Sequence, residues 1–206
     1  RGLAGAAGTE APTLVYDFGG GTLDTTVVQR QGERISVRAV GGDDCLGGND
    51  LDLAFARWVA DAIWGMASID VTKDALLFDR IQRQCELVKR ALSGSKEARF
   101  FVPDALGIPG HRRNLDVMVS REHVTGPWKE LVDRSIQVTG DTVTAAGLEA
   151  KDLGKVMLIG GTTFVPQVRE AVSRRLPVPL DIESDPQTAV ARGAALLAVM
   201  PQLLLD

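Results

Sequence analysis

Apolar and polar positions alternate along the first part of the chain in the manner of β-strands. A short apolar run at 14–16 leads into a glycine triplet, and two further segments flank a Gln31-Gly32 turn. In the second arm Ile35, Val37 and Ala39 alternate with polar residues, as a half-buried antiparallel strand requires. The pattern therefore predicts a strand followed by a hairpin, with the hairpin arms at 23–30 and 34–40.

Apolar residues at helical spacing mark the segment that follows. Leu51 and Phe55 recur at this spacing after a candidate cap at Asn49 or Asp50, and a second helix is predicted at about 74–92. Both helices precede a region of strand-like alternation. The middle of the chain therefore combines helices with strands, and the strands are predicted at 99–102 and 115–119.

The last third of the chain returns to the alternation of strand and helix. Ser120 is expected to cap a helical region that Gly126-Pro127 breaks. The continuously apolar run at 156–159 is typical of a strand covered on both faces of a mixed or parallel sheet. Helices are predicted after it at 166–176 and 187–200, the second with a cap and a first-turn proline from Asp185-Pro186.

Composition narrows the class of protein. The 206 residues are 45% hydrophobic and 24% charged, which is typical of a globular chain, and the net charge of −4 argues against a nucleic-acid-binding face. Cys45 and Cys85 form no metal-binding or disulfide pattern, which favours a reducing compartment. No apolar run approaches the roughly 18 residues of a membrane span. We expect a soluble, cytoplasmic protein, and the start at Arg1 without an initiating Met suggests a fragment of a longer chain.

The first glycine feature is the segment Asp17-Phe18-Gly19-Gly20-Gly21-Thr22-Leu23-Asp24. Glycines let backbone N–H groups approach an anion such as phosphate, and the Thr22 hydroxyl can orient a phosphate or a water. Asp17 and Asp24 are candidate ligands of a hydrated Mg²⁺. The alternative is a hairpin whose glycines need positive φ and whose aspartates are caps. Neither a Walker A motif nor a dinucleotide fingerprint is present.

Two further features carry candidate chemistry. Gly160-Gly161-Thr162-Thr163 ends the buried strand, where ligands of α/β sheets bind, although a tight strand-to-helix turn would have the same sequence. A polar stripe lies on one face of the second predicted helix. Its alternative explanation is a solvated face with a Glu86–Arg90 pair. The stripe consists of Glu86, Lys89, Arg90 and Ser93.

Together these motifs resemble the Hsp70 (DnaK-like) chaperones over essentially the whole chain, in family order and spacing. The resemblance is to lobe II, subdomains IIA and IIB, of the actin-like nucleotide-binding domain. It implies an α/β, actin-like ATPase (ribonuclease H-like) half-domain with a mixed sheet, flanking helices and an inserted α+β subdomain. The IIA-like core would comprise 10–50 and 150–200, the IIB-like insertion 51–149, and a possible interdomain-linker start 201–206. The blocks that carry the resemblance are the glycine loop, Leu46-Gly47-Gly48-Asn49-Asp50-Leu51-Asp52, Cys85-Glu86-x-x-Lys89-Arg90-x-Leu92-Ser93, Leu158-Ile159-Gly160-Gly161-x-Thr163-x-x-Pro166 and Asp185-Pro186-x-x-Ala189-Val190-Ala191-x-Gly193-Ala194-Ala195.

The resemblance also implies a role for each site residue. The glycine loop, with Thr22, would hold the β- and γ-phosphates of ATP or ADP, and the catalytic residues would be Asp17, Thr22 and Asp24. The two aspartates would lie near Mg²⁺ and the attacking water, with K⁺ as a further candidate cation. The polar stripe would cradle the adenosine, with Lys89 and Glu86 near the ribose. The residues implied to bind nucleotide are Gly19, Gly20, Gly21, Thr22, Glu86, Lys89, Arg90, Ser93, Gly160, Gly161 and Phe164.

The chain departs from the family pattern near the base. Phe164 stands where family members usually carry an Arg that packs on the adenine, and an aromatic ring can stack on a base instead. Gln187 replaces an acidic residue of the family's Asn-Pro-Asp-Glu, and Cys45 stands where a His is common. These changes affect the expected nucleotide affinity and leave the phosphate loop intact.

The function implied is a nucleotide-binding lobe of an ATP-driven stress-response chaperone. Its parent would be an ATPase whose partners are unfolded peptide clients, a J-domain co-chaperone and a nucleotide exchange factor. The family's other lobe carries groups that act on the triphosphate, so we expect this chain alone to hydrolyse ATP negligibly and to bind nucleotide weakly. The apolar end Leu203-Leu204-Leu205 resembles the interdomain linker. The alternatives are a carbohydrate kinase and a non-catalytic actin-like scaffold of the same superfamily.

Overall fold

A computed structural model describes residues 10–32, 34–107, 112–182 and 188–199. Its strands and helices follow one another much as the hydrophobic pattern predicts, and three short 3-10 segments at Val71–Lys73, Ala150–Asp152 and Gly161–Phe164 join them. The strands are β1 (Thr13–Phe18), β2 (Leu23–Gln31), β3 (Arg34–Asp43), β4 (Glu97–Leu106), β5 (Arg113–Ser120), β6 (Lys155–Ile159) and β7 (Leu180–Ile182). The helices are α1 (Gly48–Ala67), α2 (Ala75–Gly94), α3 (Arg121–Ala145), α4 (Pro166–Arg175) and α5 (Ala189–Val199).

Five strands form a mixed sheet in the order β3-β2-β1-β6-β7. The predicted hairpin pairs β2 with β3, and the glycine loop joins β2 to β1, both pairs being antiparallel, whereas β6 lies parallel to β1 and to β7. Helices flank this sheet, so the predicted α/β class with a mixed sheet is confirmed. The short strand β7 was not predicted, because three residues are too few to show alternation.

Helix α3 covers one face of the five-stranded sheet and is tied to it by buried hydroxyl groups. The Tyr16 hydroxyl donates to Ser135 Oγ at 3.0 Å, and the hydroxyls of Thr25 and Thr142 lie 2.7 Å apart. Burial raises the pKa of Tyr16. These contacts hold α3 against β1 and β2 and so fix the position of both strands.

A second, two-stranded sheet of β4 and β5 packs with α1 and α2 around an aromatic core. Phe55 lies edge-on to both Phe100 and Trp128. The indole N–H of Trp128 donates to the Leu51 carbonyl at 2.9 Å, which satisfies the one polar atom of that ring. The predicted boundaries of the core and insertion, at 50 and 150, stay a prediction.

Helix α3 corrects one expectation, because Gly126-Pro127 does not break it. The helix runs without interruption from Arg121 to Ala145, with Pro127 inside it. A proline in a helix removes one backbone hydrogen bond and costs about 3 kcal/mol. Burial of Val124 and Trp128 on either side of the proline offsets this cost, because burying each large apolar side chain contributes about 1.5–3 kcal/mol.

Three other local predictions are wrong in part. Ile35 and Val37 do not face the core: they are 53% and 61% exposed, because β3 is the sheet edge and a register irregularity occurs opposite it in β2. In β6 only alternate residues are buried, so the strand is not fully covered on both faces. Helix α1 begins after Gly47 rather than after a cap at Asn49 or Asp50, and the Asp50 carboxylate instead accepts the Gly47 N–H at 2.7 Å.

Some predictions lie outside the described residues. These are the cap at Asp185-Pro186, the departure at Gln187 and the linker-like end at 201–206. Within the part of the chain that the structure describes, the helices are too short or too polar to cross a membrane.

Candidate functional site

The glycine loop and the Gly160-Gly161 turn leave the sheet side by side. Strands β1 and β6 are parallel neighbours with Asp17 opposite Ile159, so both chains leave the sheet at the same edge. The Thr162 hydroxyl donates to the Gly19 carbonyl at 2.7 Å and joins the two turns. The carboxyl ends of parallel strands are where α/β sheets bind ligands.

The start of helix α1 lies against the glycine loop and orients it. The N–H groups of Gly48 and Asn49 donate to the carbonyls of Gly19 and Gly20 at 3.0 and 2.8 Å. These helix-start amides would otherwise lack partners. The loop carbonyls therefore point towards α1, and among the described residues no hydrogen bond uses the N–H of Gly20 or Gly21. Free amides of this kind can bind an anion.

The loop glycines are not required by the backbone. None of Gly19, Gly20 and Gly21 has a positive φ. A Cβ added to Gly19 or Gly20 would come no closer than 3.6 Å to its neighbours, and one on Gly21 would meet nothing within 4 Å. The alternative of a hairpin whose glycines need positive φ is therefore wrong, and the open space above the loop suits the close approach of a ligand.

The glycines around the loop are, by contrast, required by packing. A Cβ on Gly47 would lie 2.4 Å from the Gly20 carbonyl oxygen, and one on Gly48 would lie 2.6 Å from the Thr162 hydroxyl. Gly160 has φ +84°, and its Cβ would lie 2.4 Å from the Phe18 carbonyl oxygen. These three glycines allow α1 and the β6 turn to press against the loop.

Two carboxylates lie below the loop on one face of the sheet. Asp17 and Asp24 are directly opposite each other in the β1–β2 pair, and the Thr22 hydroxyl donates to Asp24 Oδ2 at 3.1 Å. Burial, and secondarily the Asp24 charge, raise the pKa of Asp17. A cation would relieve this repulsion. The described residues contain no group of three or more His, Cys, Asp or Glu side chains arranged for a metal, but Mg²⁺ commonly needs only one or two carboxylates beside its waters and substrate phosphates.

A cavity of about 340 Å³ opens between the glycine loop, the start of α1, helix α2 and the turn after β6. It brings Gly20 and the whole polar stripe together. Asp17, Gly19, Gly21, Thr22, Asp24 and Gly160 do not line it, although Gly19, Gly21 and Gly160 are chain neighbours of residues that do. The lining residues are Gly20, Gly48, Asn49, Asp52, Glu86, Lys89, Arg90, Ser93, Gly161, Thr162 and Phe164.

Lys89 is buried in the α2 wall of this cavity. Its ammonium donates to Asp52 Oδ2 at 2.6 Å and to the Gly48 carbonyl at 2.7 Å. The Glu86–Arg90 pair exists at 3.7 Å and is exposed. The explanation of the stripe as a solvated face therefore holds for that pair and is wrong for Lys89.

Asp52 is a site residue that sequence reasoning missed. Its side chain is 5% exposed, and Oδ1 is buried without a hydrogen-bond partner among the described residues. Burial raises the pKa of Asp52, and Lys89 opposes that effect. Asp52 belongs to the 46–52 block, but its partner is far away in the sequence, so no local spacing indicated the pair. The other missed lining residues are Gly48, Asn49 and Thr162.

Phe164 is the aromatic wall of the cavity, and Arg169 supports it from helix α4. The Phe164 side chain is 37% exposed, and the Arg169 guanidinium carbon lies 5.3 Å from its ring centroid. Arg169 Nε also donates to the Thr163 carbonyl at 2.6 Å. The guanidinium thus holds both the turn and the ring that the turn carries.

A larger cavity of about 600 Å³ lies between α3 and α4. It is lined by residues such as Trp128, Lys129 and Arg174, and it contains no residue of the glycine loop or the polar stripe. The smaller cavity is the candidate functional site, because free amides, paired charges and an aromatic ring meet there.

Comparisons with known proteins agree with the motifs. The sequence model of the family described as "Hsp70 protein" matches residues 2–202. A mitochondrial-type heat shock protein 70 of Encephalitozoon hellem is 32% identical over 182 residues, and one of Encephalitozoon cuniculi (strain GB-M1) is 31% identical over 182 residues. Each alignment covers 88% of this chain and 31% of the relative, so the chain spans about a third of the length of these relatives.

Proposed function

This chain belongs to the Hsp70 family, and we propose that it is a nucleotide-binding lobe for ATP or ADP within an ATP-driven chaperone. The observation that carries the proposal is the single cavity shared by Gly20 and Lys89. Its volume, about 340 Å³, is within the range of small-molecule sites. The mixed sheet with flanking helices is consistent with the actin-like ATPase fold of the family.

The phosphates of the nucleotide would lie at the glycine loop. The N–H groups of Gly20 and Gly21 have no partner in the described structure, and the absence of Cβ atoms lets phosphate oxygens approach them. Asp17 and Asp24 would hold Mg²⁺, which offsets phosphate charge when it is bound. The Thr22 hydroxyl, already hydrogen-bonded to Asp24, would orient a water or a phosphate oxygen.

The nucleoside would lie between α2 and the turn after β6. The Phe164 ring offers a stacking surface for the base, and Ser93 and Arg90 line the same cavity. Lys89 and Glu86 would lie near the ribose. This arrangement supports binding of a nucleotide, because an aromatic ring and a polar helix face line the same cavity.

The activity of the whole protein is part of the proposal. Coupling of ATP to release of unfolded peptides, with a J-domain co-chaperone and a nucleotide exchange factor as partners, follows from family membership and is favoured over a carbohydrate kinase. The boundaries at 50 and 150, the cytoplasmic location and the negligible turnover of this chain alone also stay predictions.

Nucleotide binding can be tested by thermal unfolding of this chain with millimolar Mg·ADP or Mg·ATP. A ligand that binds only the folded state raises Tm, and at 100 times Kd it contributes about 2.7 kcal/mol. We expect a nucleotide-dependent rise that Gly20→Ala abolishes. The added methyl group fits the free protein, with its nearest neighbour 3.8 Å away, but occupies the space of a phosphate.

Gly65→Ala is the matched control. Gly65 lies on α1 outside the cavity, and a Cβ there would meet nothing within 4 Å, so the nucleotide-dependent rise should match that of the wild type. If wild-type Tm does not respond to either nucleotide, the non-catalytic scaffold becomes the better account. If Gly20→Ala responds as strongly as the wild type, the glycine loop is not the phosphate site.

A further inference from the structure

The ion pair of Asp52 and Lys89 is unusual in its burial. The two side chains are 5% and 10% exposed, and their charged atoms are 2.6 Å apart in the wall of the cavity. Burying two charges is costly, and the loss is recovered fully only when the remaining lone pairs find partners. Asp52 Oδ1 has none among the described residues. Stability alone therefore does not explain the pair.

The pair leaves one donor of Lys89 unused. An ammonium has three N–H groups, and Lys89 directs two of them to Asp52 Oδ2 and the Gly48 carbonyl. No third acceptor in the described part of the chain lies within hydrogen-bond distance. Because Lys89 lines the cavity, its remaining N–H is available to a bound ligand.

The charge around this donor suits a neutral oxygen better than a phosphate. The Asp52 carboxylate balances the Lys89 ammonium, and the Glu86 carboxylate on the same wall is balanced only by exposed Arg90. The four formal charges sum to zero. The glycine loop across the cavity instead offers the unpaired amide of Gly20, and the carboxylates below the loop, Asp17 and Asp24, do not line the cavity.

We propose that Asp52 is a positioning residue that neutralises Lys89 and presents it as a hydrogen-bond donor to the hydroxyl groups of a sugar. The inference rests on the proposed nucleotide-binding function, which already places the sugar near Lys89 and the phosphates at the glycine loop, and it adds the role of Asp52. Because the Asp52–Lys89 pair is balanced in charge, it does not compete for the phosphates. Without Asp52, Lys89 becomes a second anion site.

Three ligands test this role of Asp52: ADP, 2′,3′-dideoxy-ADP and inorganic tripolyphosphate, titrated into this chain by NMR. The wild type should prefer ADP over the dideoxy analogue by about tenfold, the effect of one charge-assisted hydrogen bond. In Asp52→Asn that preference should fall below about threefold, while tripolyphosphate binding strengthens by about threefold or more because the ammonium is no longer balanced. A purely structural role would weaken all three ligands together.

The double variant Asp52→Leu/Lys89→Met replaces the pair by apolar side chains and guards against misfolding of the single variant. It should lose the hydroxyl preference without gaining affinity for tripolyphosphate. A wild-type preference retained in Asp52→Asn, or in the double variant if the single one does not fold, overturns the proposal. If the wild type binds ADP and tripolyphosphate but the relative affinities for the three ligands are the same in Asp52→Asn, only this inference fails. If it binds neither, the proposed function fails with it.

Discussion

The two walls of the cavity differ in that one is formed by main-chain atoms and the other by side chains. The loop wall is main chain: carbonyls of Gly19 and Gly20 are fixed by the start of α1, and the neighbouring amides are left free. The α2 wall and its Phe164 neighbour are side chains, held by the buried Asp52–Lys89 pair and by Arg169. A main-chain wall changes only when the backbone moves, whereas a side-chain wall can be altered one residue at a time.

The departure from the family pattern that lines the cavity follows this division. The glycines of the loop wall are all present, and the substituted position at the cavity, Phe164, lies on the side-chain wall. A phosphate site on this wall needs free amides and open space above them, and a side chain on a loop glycine would occupy that space. A base can be held by any flat surface, which makes replacement of the usual Arg by Phe physically acceptable.

The largest effect is expected where a side chain would force the loop wall apart. Gly47→Ala would place a methyl group 2.4 Å from the Gly20 carbonyl oxygen and 2.6 Å from the Gly21 carbonyl carbon. Because these contacts are with backbone, relief requires α1 and the loop to separate. We expect a loss of about 2–3 kcal/mol in the free energy of unfolding, measured by urea denaturation.

Gly21→Ala is the control for this prediction. Its Cβ would meet nothing within 4 Å, and φ is not positive, so stability should change by less than about 0.5 kcal/mol. Equal losses in the two variants would show that the loop is not held by close contact with α1.

This contrast also explains what could be predicted from the sequence. Strand β1, the glycine loop and the turn after β6 carry local signals, so each of them was predicted, whereas the pairing of β1 with β6 that brings both turns to one sheet edge came from the structure. The Asp52–Lys89 and Phe164–Arg169 contacts were not. Asp52 and Lys89 come from different helices, and whether a polar residue points inward depends on packing that periodicity does not describe. Pro127 was misjudged for the same reason, since burial of Trp128 overrides a local helix breaker.

A smaller effect is expected on the side-chain wall. Phe164→Ala should weaken ADP binding by about 1–3 kcal/mol, the range found when a base loses an aromatic stacking partner, with little change in stability because the residue is 37% exposed. Arg169→Met should cost less, about 0.5–1 kcal/mol, since the ring stays in place and the losses are the cation on its face and the hydrogen bond to the Thr163 carbonyl. Titration of ADP followed by NMR measures both.

The chain supplies a matched control in Phe101, which carries Arg99 over its ring at 4.8 Å but lies in β4 outside the cavity. Phe101→Ala should bind ADP as the wild type does. Unchanged ADP binding in Phe164→Ala would show that the base does not stack on this ring, and its recognition would then be assigned to the α2 side chains.

The smallest effect concerns the carboxylates below the loop. Burial and Asp24 raise the pKa of Asp17 above its ordinary value of 3.8, so the ionised form is less favourable in the folded chain than in the unfolded chain. Stability is therefore lost as the pH rises from 3.8 through the folded-state pKa, and the loss persists at neutral pH. Asp17→Asn removes this penalty, so its Tm should exceed that of the wild type at pH 7 by a small margin that vanishes as the pH falls below 3.8. Thermal melts across this range, without nucleotide, provide the measurement.

With Mg·ADP present the wild type should have the higher Tm, because the variant lacks one of the two carboxylates that would hold Mg²⁺. If Asp17→Asn has a lower Tm than the wild type at neutral pH without ligand, the Asp17 carboxylate stabilises the fold. Its role would then be structural rather than binding of a cation.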